Sequence, residues 1–210
     1  MNAAPTLLAL LQSHADLRGD ALAHLLPDRV ITYRRFWSRI ERASARLQGE
    51  WGVRQQDVVA YAGNAHPDAI VLYLALLRIG AVLLPLETIA PVDWERLQQQ
   101  AGAGLIVHNE APILPAAHAQ PLSLLLADWC HFDPVLVDED PAAAGLLLPV
   151  SGKLEPISLQ QLSERMPAQV AFVSRVGDTL FDRMTLAGVI LPALTNARSL
   201  QFSAVEKALR

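Results

Sequence analysis

The chain has 210 residues, of which 52% are hydrophobic and 18% are charged, and its formal net charge at pH 7 is −4. The apolar fraction excludes a disordered chain, and the mild acidity excludes a general nucleic-acid binder. A single cysteine, Cys130, cannot form an internal disulfide and favours a reducing, cytoplasmic location, and the six histidines are too scattered to indicate a metal site.

The first hundred residues alternate between helices of regular apolar period and short apolar strands. Val30 and Ile31 lead to Thr32, which is placed to cap a helix with Phe36 and Ile40 on its apolar face. The elements that follow are a strand at 58–61, a helix from Pro67 to Gly80, a strand at 81–84, a helix from Pro91 and a strand at 105–107.

Residues 70–86 are the only stretch that resembles a membrane span. Arg78 lies near its middle, where a charge would cost about 2.5–3.5 kcal/mol in a bilayer. Gly80 divides the stretch into a helix-length and a strand-length piece, so we predict a buried helix-to-strand connection and no membrane contact. The apolar run at 7–11 is too short for a secretory signal and follows no basic segment.

The second half begins with an irregular connection. Residues 110–142 contain five prolines and no clean period, with at most one short helix near 122–127. The elements expected after it are a strand at 146–148, a loop at 149–156, a helix capped by Ser158 with Gln161, a strand at 170–173, a helix at 184–194 and a strand at 200–202. Apolar strands alternating with helices indicate a doubly wound α/β fold, with a mainly parallel sheet and helices on both faces.

Four stretches carry a family resemblance: residues 31–64, 66–87, 138–156 and 176–202. Their order and motifs resemble the N-terminal part of the adenylate-forming superfamily of acyl-CoA synthetases, luciferases and adenylation domains. The resemblance implies an enzyme that uses ATP and Mg²⁺ to convert a carboxylate to an acyl-adenylate and passes the acyl group to a thiol. On this basis, residues 1–210 are expected to form one truncated domain of that type.

The phosphate loop of that family reads TSGTTG-x-PKG, and residues 149–156 occupy its place. Ser151 and Gly152 match the central dipeptide, but the following Thr-Thr-Gly and Pro-Lys-Gly are missing. Ser151, Gly152 and Lys153 could form a weak anion site, although Glu155 would repel a phosphate there. The alternative, which we favour, is a strand-to-helix turn in which Gly152 supplies a positive φ.

Other requirements of the family's chemistry are not met in this sequence. The resemblance implies that the motif for adenine and Mg²⁺, the ribose-binding Asp and the catalytic Lys all lie beyond residue 210. Asp182 stands where the family usually has a His near the acyl pocket, and it fits a helix N-cap better. We therefore assign no catalytic residue and expect no cofactor in the isolated chain. ATP or AMP with Mg²⁺ would bind only if a partner completed the site.

The leading interpretation is a non-catalytic binding or assembly module, with a carrier protein, a ligase subunit or a second copy as its partner. One alternative is half of a split adenylating ligase that a second chain completes, and another is a fragment of a normal synthetase. Self-association would cover an exposed sheet edge or hydrophobic patch.

Several conspicuous residues receive structural interpretations. Cys130 beside His131 is not assigned as a catalytic pair, because adjacent side chains rarely face each other. Asn64 could face a ligand crevice at the end of its strand, but a turn role is favoured. The tryptophans are expected to anchor the packing: Trp37, Trp51, Trp94 and Trp129. The arginines that follow Thr32 are expected to form a solvated helix face or a docking surface for an acidic partner: Arg34, Arg35, Arg39, Arg42 and Arg46.

Overall fold

The computed structural model describes residues 5–109, 119–128, 130–167 and 169–202. Its helices are α1 (Leu7–Leu17), α2 (Tyr33–Gly49), α3 (Pro67–Arg78), α4 (Pro91–Ala101), α5 (Leu159–Ser163), α6 (Arg183–Thr185) and α7 (Leu191–Thr195). Its strands are β1 (Leu22–Leu25), β2 (Val30–Thr32), β3 (Val58–Ala62), β4 (Val82–Pro85), β5 (Leu105–His108), β6 (Ala119–Pro121), β7 (Ala144–Val150), β8 (Lys153–Ser158), β9 (Val173–Arg175) and β10 (Ser199–Gln201).

A six-stranded sheet with the order β6-β5-β3-β4-β7-β8 forms the centre of the fold, and only its β7–β8 pair is antiparallel. Successive residues of β3 face opposite sides of this sheet. Val59 and Tyr61 belong to one hydrophobic cluster with α2 and α3, whereas Ala60 and Ala62 pack in a second cluster with Leu97 of α4. The predicted doubly wound α/β class, with helices on both faces, is therefore confirmed.

The remaining strands form a second sheet, where the sequence indicated only one. Its order is β2-β1-β10-β9, and β1 pairs in parallel with β10. Strand β1 was not predicted, because its four residues include the polar His24. That imidazole is fully buried between the rings of Phe36 and Phe202, whose centroids lie 4.4 and 5.4 Å away.

The local start and stop signals act as predicted. The hydroxyl of Thr32 accepts a hydrogen bond from the amide of Arg35 and caps α2. Ser158 and Gln161 form a capping box at α5, and Gly80 after α3 has a φ of +71°. The membrane-like stretch is buried core in α3 and β4. Within the residues that the structure describes, no helix has both the length and the apolar character needed to cross a membrane.

The proline-rich connection is anchored near its end by a contact that the sequence did not predict. Glu139 accepts hydrogen bonds from the amides of Leu7 (3.0 Å) and Leu8 (2.8 Å), and so caps the first turn of α1, a helix that was also not predicted. The short helix expected near 122–127 is confirmed as a 3-10 helix, Leu122–Leu126. Residues 110–118 of the connection lie outside the described residues.

The arginines of α2 are not one solvated face, so that prediction is wrong for Arg39, Arg42 and Arg46. Arg39 pairs with Asp68 of α3, and Arg42 donates to the carbonyl of Leu126 at 2.8 Å. Arg46, only 5% exposed, donates to the carbonyls of Leu124 and Asp128 at the end of the 3-10 helix. Carbonyls at a helix end have no partner within the helix, so these guanidinium groups satisfy them.

The tryptophans act as anchors where the structure describes them. Trp37 is buried and donates to Glu41 at 3.1 Å, and the indole of Trp94 donates to the carbonyl of Ile89 at 2.8 Å. Trp51 is partly buried against the core. Trp129 lies outside the described residues.

Three segments of the second half differ from prediction. The loop expected at 149–156 is a hairpin between β7 and β8. The strand expected at 170–173 is β9, three residues later. The helix expected at 184–194 is a helical run from α6 to α7 that includes a π-helical segment, Leu186–Ile190.

Candidate functional site

A cavity of about 270 Å³ opens at the carboxyl edge of the six-stranded sheet. Crevices outside the carboxyl ends of parallel strands are where open α/β sheets bind ligands. The walls come from the ends of β4 and β7 and from the start of α6. Its lining residues are Pro85, Glu87, Thr88, Leu148, Pro149, Val150, Phe181, Asp182 and Arg183.

Glu87, directly after β4, is the central ionisable group of this cavity. Its Oε2 accepts hydrogen bonds from the amides of Leu180 (2.9 Å) and Phe181 (3.0 Å), which lie just before α6. Its Oε1 is buried and has no hydrogen-bond partner among the described residues. Burial raises the pKa of the Glu87 carboxyl to about 7, and the nearby Asp182 charge adds to this, although the two amide hydrogen bonds act in the opposite direction.

Asp182 is the N-cap of α6, as predicted. Its Oδ1 accepts the amides of Met184 and Thr185, both at 2.9 Å, and its Oδ2 accepts the hydroxyl of Thr179 at 2.7 Å. Partial burial raises the pKa of the Asp182 carboxyl, but these hydrogen bonds outweigh burial and the net pKa is lowered. Both oxygens of this carboxylate are therefore engaged in local structure.

The candidate phosphate loop is a two-residue turn. Val150 pairs with Lys153 across the β7–β8 hairpin, and the intervening Ser151 and Gly152 have φ of +50° and +79°. Positive φ at both central residues is typical of a tight type I′ hairpin turn. The expected strand-to-helix turn is wrong, because the chain turns back into a strand, but the positive φ of Gly152 is confirmed.

Ser151, Gly152 and Lys153 stay together at the tip of this hairpin, where Ser151 and Gly152 are exposed. The described residues that line the cavity include Val150 but none of these three. Glu155, expected to repel a phosphate near Lys153, forms an ion pair with Arg183 of α6 instead. The hairpin is therefore tied to the cavity wall through β8.

Asn64 and Asn109 join the ends of β3 and β5. The side-chain amide of Asn109 donates to Oδ1 of Asn64 at 2.6 Å, and the backbone amide of Asn64 donates to Oδ1 of Asn109 at 3.1 Å. These bonds engage Asn64 in local structure at the ends of two strands, and the turn or cap role that we favoured stays a prediction.

Cys130 is a partly exposed free thiol. Burial of the sulfur and the neighbouring Glu50 carboxylate raise the pKa of the Cys130 thiol, and a raised pKa disfavours the reactive thiolate. Among the described residues, no group of three or more His, Cys, Asp or Glu side chains could hold a metal ion.

Sequence reasoning missed Glu87, the carboxyl group of the site whose pKa is raised to about 7. A usable signal was present, because a charged residue directly follows the apolar run of β4 at the carboxyl edge of a predicted parallel strand. Its partners could not have been predicted, since Leu180 and Phe181 are more than ninety residues away in the sequence.

Comparisons with known proteins agree with this architecture. The family model for AMP-binding enzymes matches residues 11–173. A 75-residue stretch is 39% identical to a carboxylic acid reductase of Mycobacterium tuberculosis, covering 35% of this chain and 6% of that protein. An 87-residue stretch is 29% identical to a D-alanine–D-alanyl carrier protein ligase of Bacillus licheniformis, covering 41% of this chain and 17% of that protein.

The fold also matches solved structures over nearly its whole length. One is Klebsiella oxytoca NpsA in complex with 3-hydroxyanthranilyl-AMSN, with a TM-score of 0.79 and 20% identity over 95% of this chain. The chain covers 42% of that structure, and so spans less than half of its length. The family model accounts for well over half of the residues, and the chain is therefore a member of the AMP-binding enzyme family, the adenylate-forming superfamily.

Proposed function

We propose that this chain is a non-catalytic member of the adenylate-forming family that acts as a binding or assembly module. The two-residue turn at Ser151 and Gly152 carries the proposal. A loop that holds a triphosphate needs several backbone amides converging on anionic oxygens. A tight hairpin turn of two residues offers few amides, and the next residue, Lys153, already pairs with Val150 in the ladder.

The charges around the cavity also disfavour a triphosphate. Glu87 and Asp182 both bring carboxyl groups to the wall, and the guanidinium of Arg183 is already paired with Glu155. The oxygens of Asp182 are occupied by α6 amides and by Thr179, so this carboxylate is poorly placed to hold Mg²⁺. A weak anion site at Ser151, Gly152 and Lys153 stays the less favoured alternative, and binding of ATP would support it.

Titration calorimetry and thermal shift test this proposal directly. We expect no binding of ATP with Mg²⁺ at millimolar concentration and no pyrophosphate release with carboxylic acids. A complete adenylating ligase run in parallel serves as the positive control. A ligand at ten times its dissociation constant adds about 1.4 kcal/mol to stability. A shift of several degrees with about 1 mM ATP would therefore contradict the proposal.

The partner class also belongs to the proposal. A carrier protein is one candidate, because a relative that matches 41% of this chain is named as a carrier protein ligase. A ligase subunit and a second copy of the chain are the others. The partly exposed free thiol of Cys130 suits a reducing compartment, and we assign the module to the cytoplasm.

Half of a split adenylating ligase is the second candidate function. The match to NpsA, over 95% of this chain and 42% of that structure, is compatible with this alternative. The rest of such a fold would have to come from further polypeptide, and ATP or AMP with Mg²⁺ would then bind at the joint site. Pyrophosphate release only when a complementary chain is added would support this alternative over the first.

A further inference from the structure

Strand β9 forms an outer edge of the four-stranded sheet. On its inner side it pairs in parallel with β10, and no described strand pairs with its outer side. The ladder extends past the strand at both ends, because the amide of Ser199 donates to the carbonyl of Phe172 and the amide of Val176 donates to the carbonyl of Gln201. An extended edge of about five residues is therefore open to a further strand.

This edge is less protected than the two outer strands of the six-stranded sheet. Native proteins protect sheet edges with proline, lysine and other charged side chains. The outer strand β8 contains Lys153, Glu155 and Pro156, and the outer strand β6 ends at Pro121. Residues 169–176 contain no proline and no lysine, and their single charged residue is Arg175.

The apolar side chains of this edge are exposed. Phe172 is 73% exposed and Val173 is 37% exposed. Residues 172, 174 and 176 share one face of an extended segment, and Val176 on that face is buried in the core. Phe172 therefore continues the core face of the sheet, and the guanidinium of Arg198 lies over its ring, 5.1 Å from the centroid.

We propose that two copies of this chain pair through β9, antiparallel about a two-fold axis at Ser174, and join their four-stranded sheets into one. This register places Phe172 opposite Val176 of the second copy, so the core face continues across the junction. Arg175 lies opposite Val173 of the second copy and not opposite its own counterpart, which avoids the like-charge pairs that destabilise antiparallel strands. The segment is thus complementary to itself, and a second copy is the occupant that it fits.

The oligomeric state tests the proposal. We expect sedimentation equilibrium between about 10 µM and 1 mM, a range suited to a small interface, to show a monomer–dimer equilibrium. Val173→Lys adds an edge-protecting charge and should weaken dimerisation by about tenfold or more. Met184→Lys is the matched control, because Met184 is 79% exposed but lies in α6, outside the strand, and should leave the dimer intact.

A cross-linking measurement checks the register even if Val173→Lys perturbs folding. In a Cys130→Ser background, Ser174→Cys would place two thiols directly opposite, with Cα atoms about 5 Å apart, which suits a disulfide. Arg175→Cys would place the two thiols at diagonal positions of the strand pair, about 7–8 Å apart, which is too far for a disulfide. We expect Ser174→Cys to cross-link about tenfold faster or more.

A monomer throughout the concentration range overturns the pairing. So does a dimer that Val173→Lys leaves intact or that Met184→Lys weakens equally, and so does cross-linking that is no faster at position 174 than at 175. The pairing rests on the assembly role proposed above, but the two can fail separately. A monomer that binds no ATP refutes the pairing alone, whereas ATP binding refutes the non-catalytic function.

Discussion

Replacing Glu87 with glutamine should remove a loss of stability that the wild-type protein shows as the pH rises from 4.5 to 7. The substituted side chain would keep a carbonyl oxygen for the amides of Leu180 and Phe181, but it would not ionise. In the wild-type protein, burial holds the pKa of Glu87 at about 7 instead of 4.5. An acid whose pKa is raised on folding is less stable in its ionised form, so the wild-type free energy of unfolding falls as the pH rises from 4.5 to 7.

The magnitude follows from that displacement. Each tenfold change in an acid's ionisation constant corresponds to about 1.4 kcal/mol. The displacement from 4.5 to about 7 therefore costs the folded protein about 3 kcal/mol once Glu87 is ionised, and partial solvent access lowers this to about 2–3 kcal/mol. We expect Glu87→Gln to be more stable than wild type by that amount at pH 8, and by little or nothing at pH 4.5.

Urea unfolding between pH 4.5 and pH 8.5 measures this effect. With a denaturant slope of about 2–3 kcal/mol per molar, the midpoint of Glu87→Gln should exceed the wild-type midpoint by about 1 M at pH 8. Glu95→Gln is the matched control, because Glu95 is exposed on α4 and should give the wild-type profile. The reasoning is refuted if the Glu87→Gln difference is the same at pH 5 and at pH 8, or if Glu95→Gln reproduces it.

Two further predictions concern the buried side chains of His24 and Arg46. Burial, with the nearby Arg39 charge, lowers the pKa of His24 from 6.5 to about 3, so stability should fall below pH 6.5 by about 2 kcal/mol at pH 5. His24→Phe should lose less stability than wild type between pH 7 and pH 5 in thermal melts, and an equal loss would contradict the buried imidazole. Arg46→Ala should lower the free energy of unfolding by about 2 kcal/mol or more and speed amide exchange at 122–128, since it leaves the carbonyls of Leu124 and Asp128 unsatisfied. Arg35 is exposed on the same helix, so Arg35→Ala should change the free energy of unfolding by less than about 0.5 kcal/mol. Equal effects of the two variants would refute the role of Arg46 in binding these carbonyls.

The features that could be predicted from the sequence depend on neighbours a few residues apart. Thr32 caps the helix that it precedes, Asp182 caps α6, and Gly80 ends its helix with a positive φ. The alternation of strand and helix likewise predicted the α/β class, because each element carries its own periodicity. Each of these features is determined by residues that are close in the sequence.

The features that could not be predicted depend on distant partners. Arg46 looks like any surface arginine until the 3-10 helix some eighty residues later presents its carbonyls. The loop expected at 149–156 is a hairpin because β8 pairs with β7. From the sequence, the charged residues Lys153 and Glu155 look like loop residues. Glu87 becomes the centre of the cavity only when the segment before α6 packs over it.

The pairing of β1 with β10 constrains the order in which this protein can mature on the ribosome. Leu25 is synthesised about 175 residues before its ladder partner Gln201. The cap of α1 has a similar delay, because Leu7 and Leu8 wait for Glu139. At about 5–20 residues per second, strand β1 spends about ten seconds or more without its ladder to β10, although its pairing with β2 needs only nearby residues. Strand β1 and the first turn of α1 therefore complete these contacts only after Gln201 and Glu139 have been synthesised.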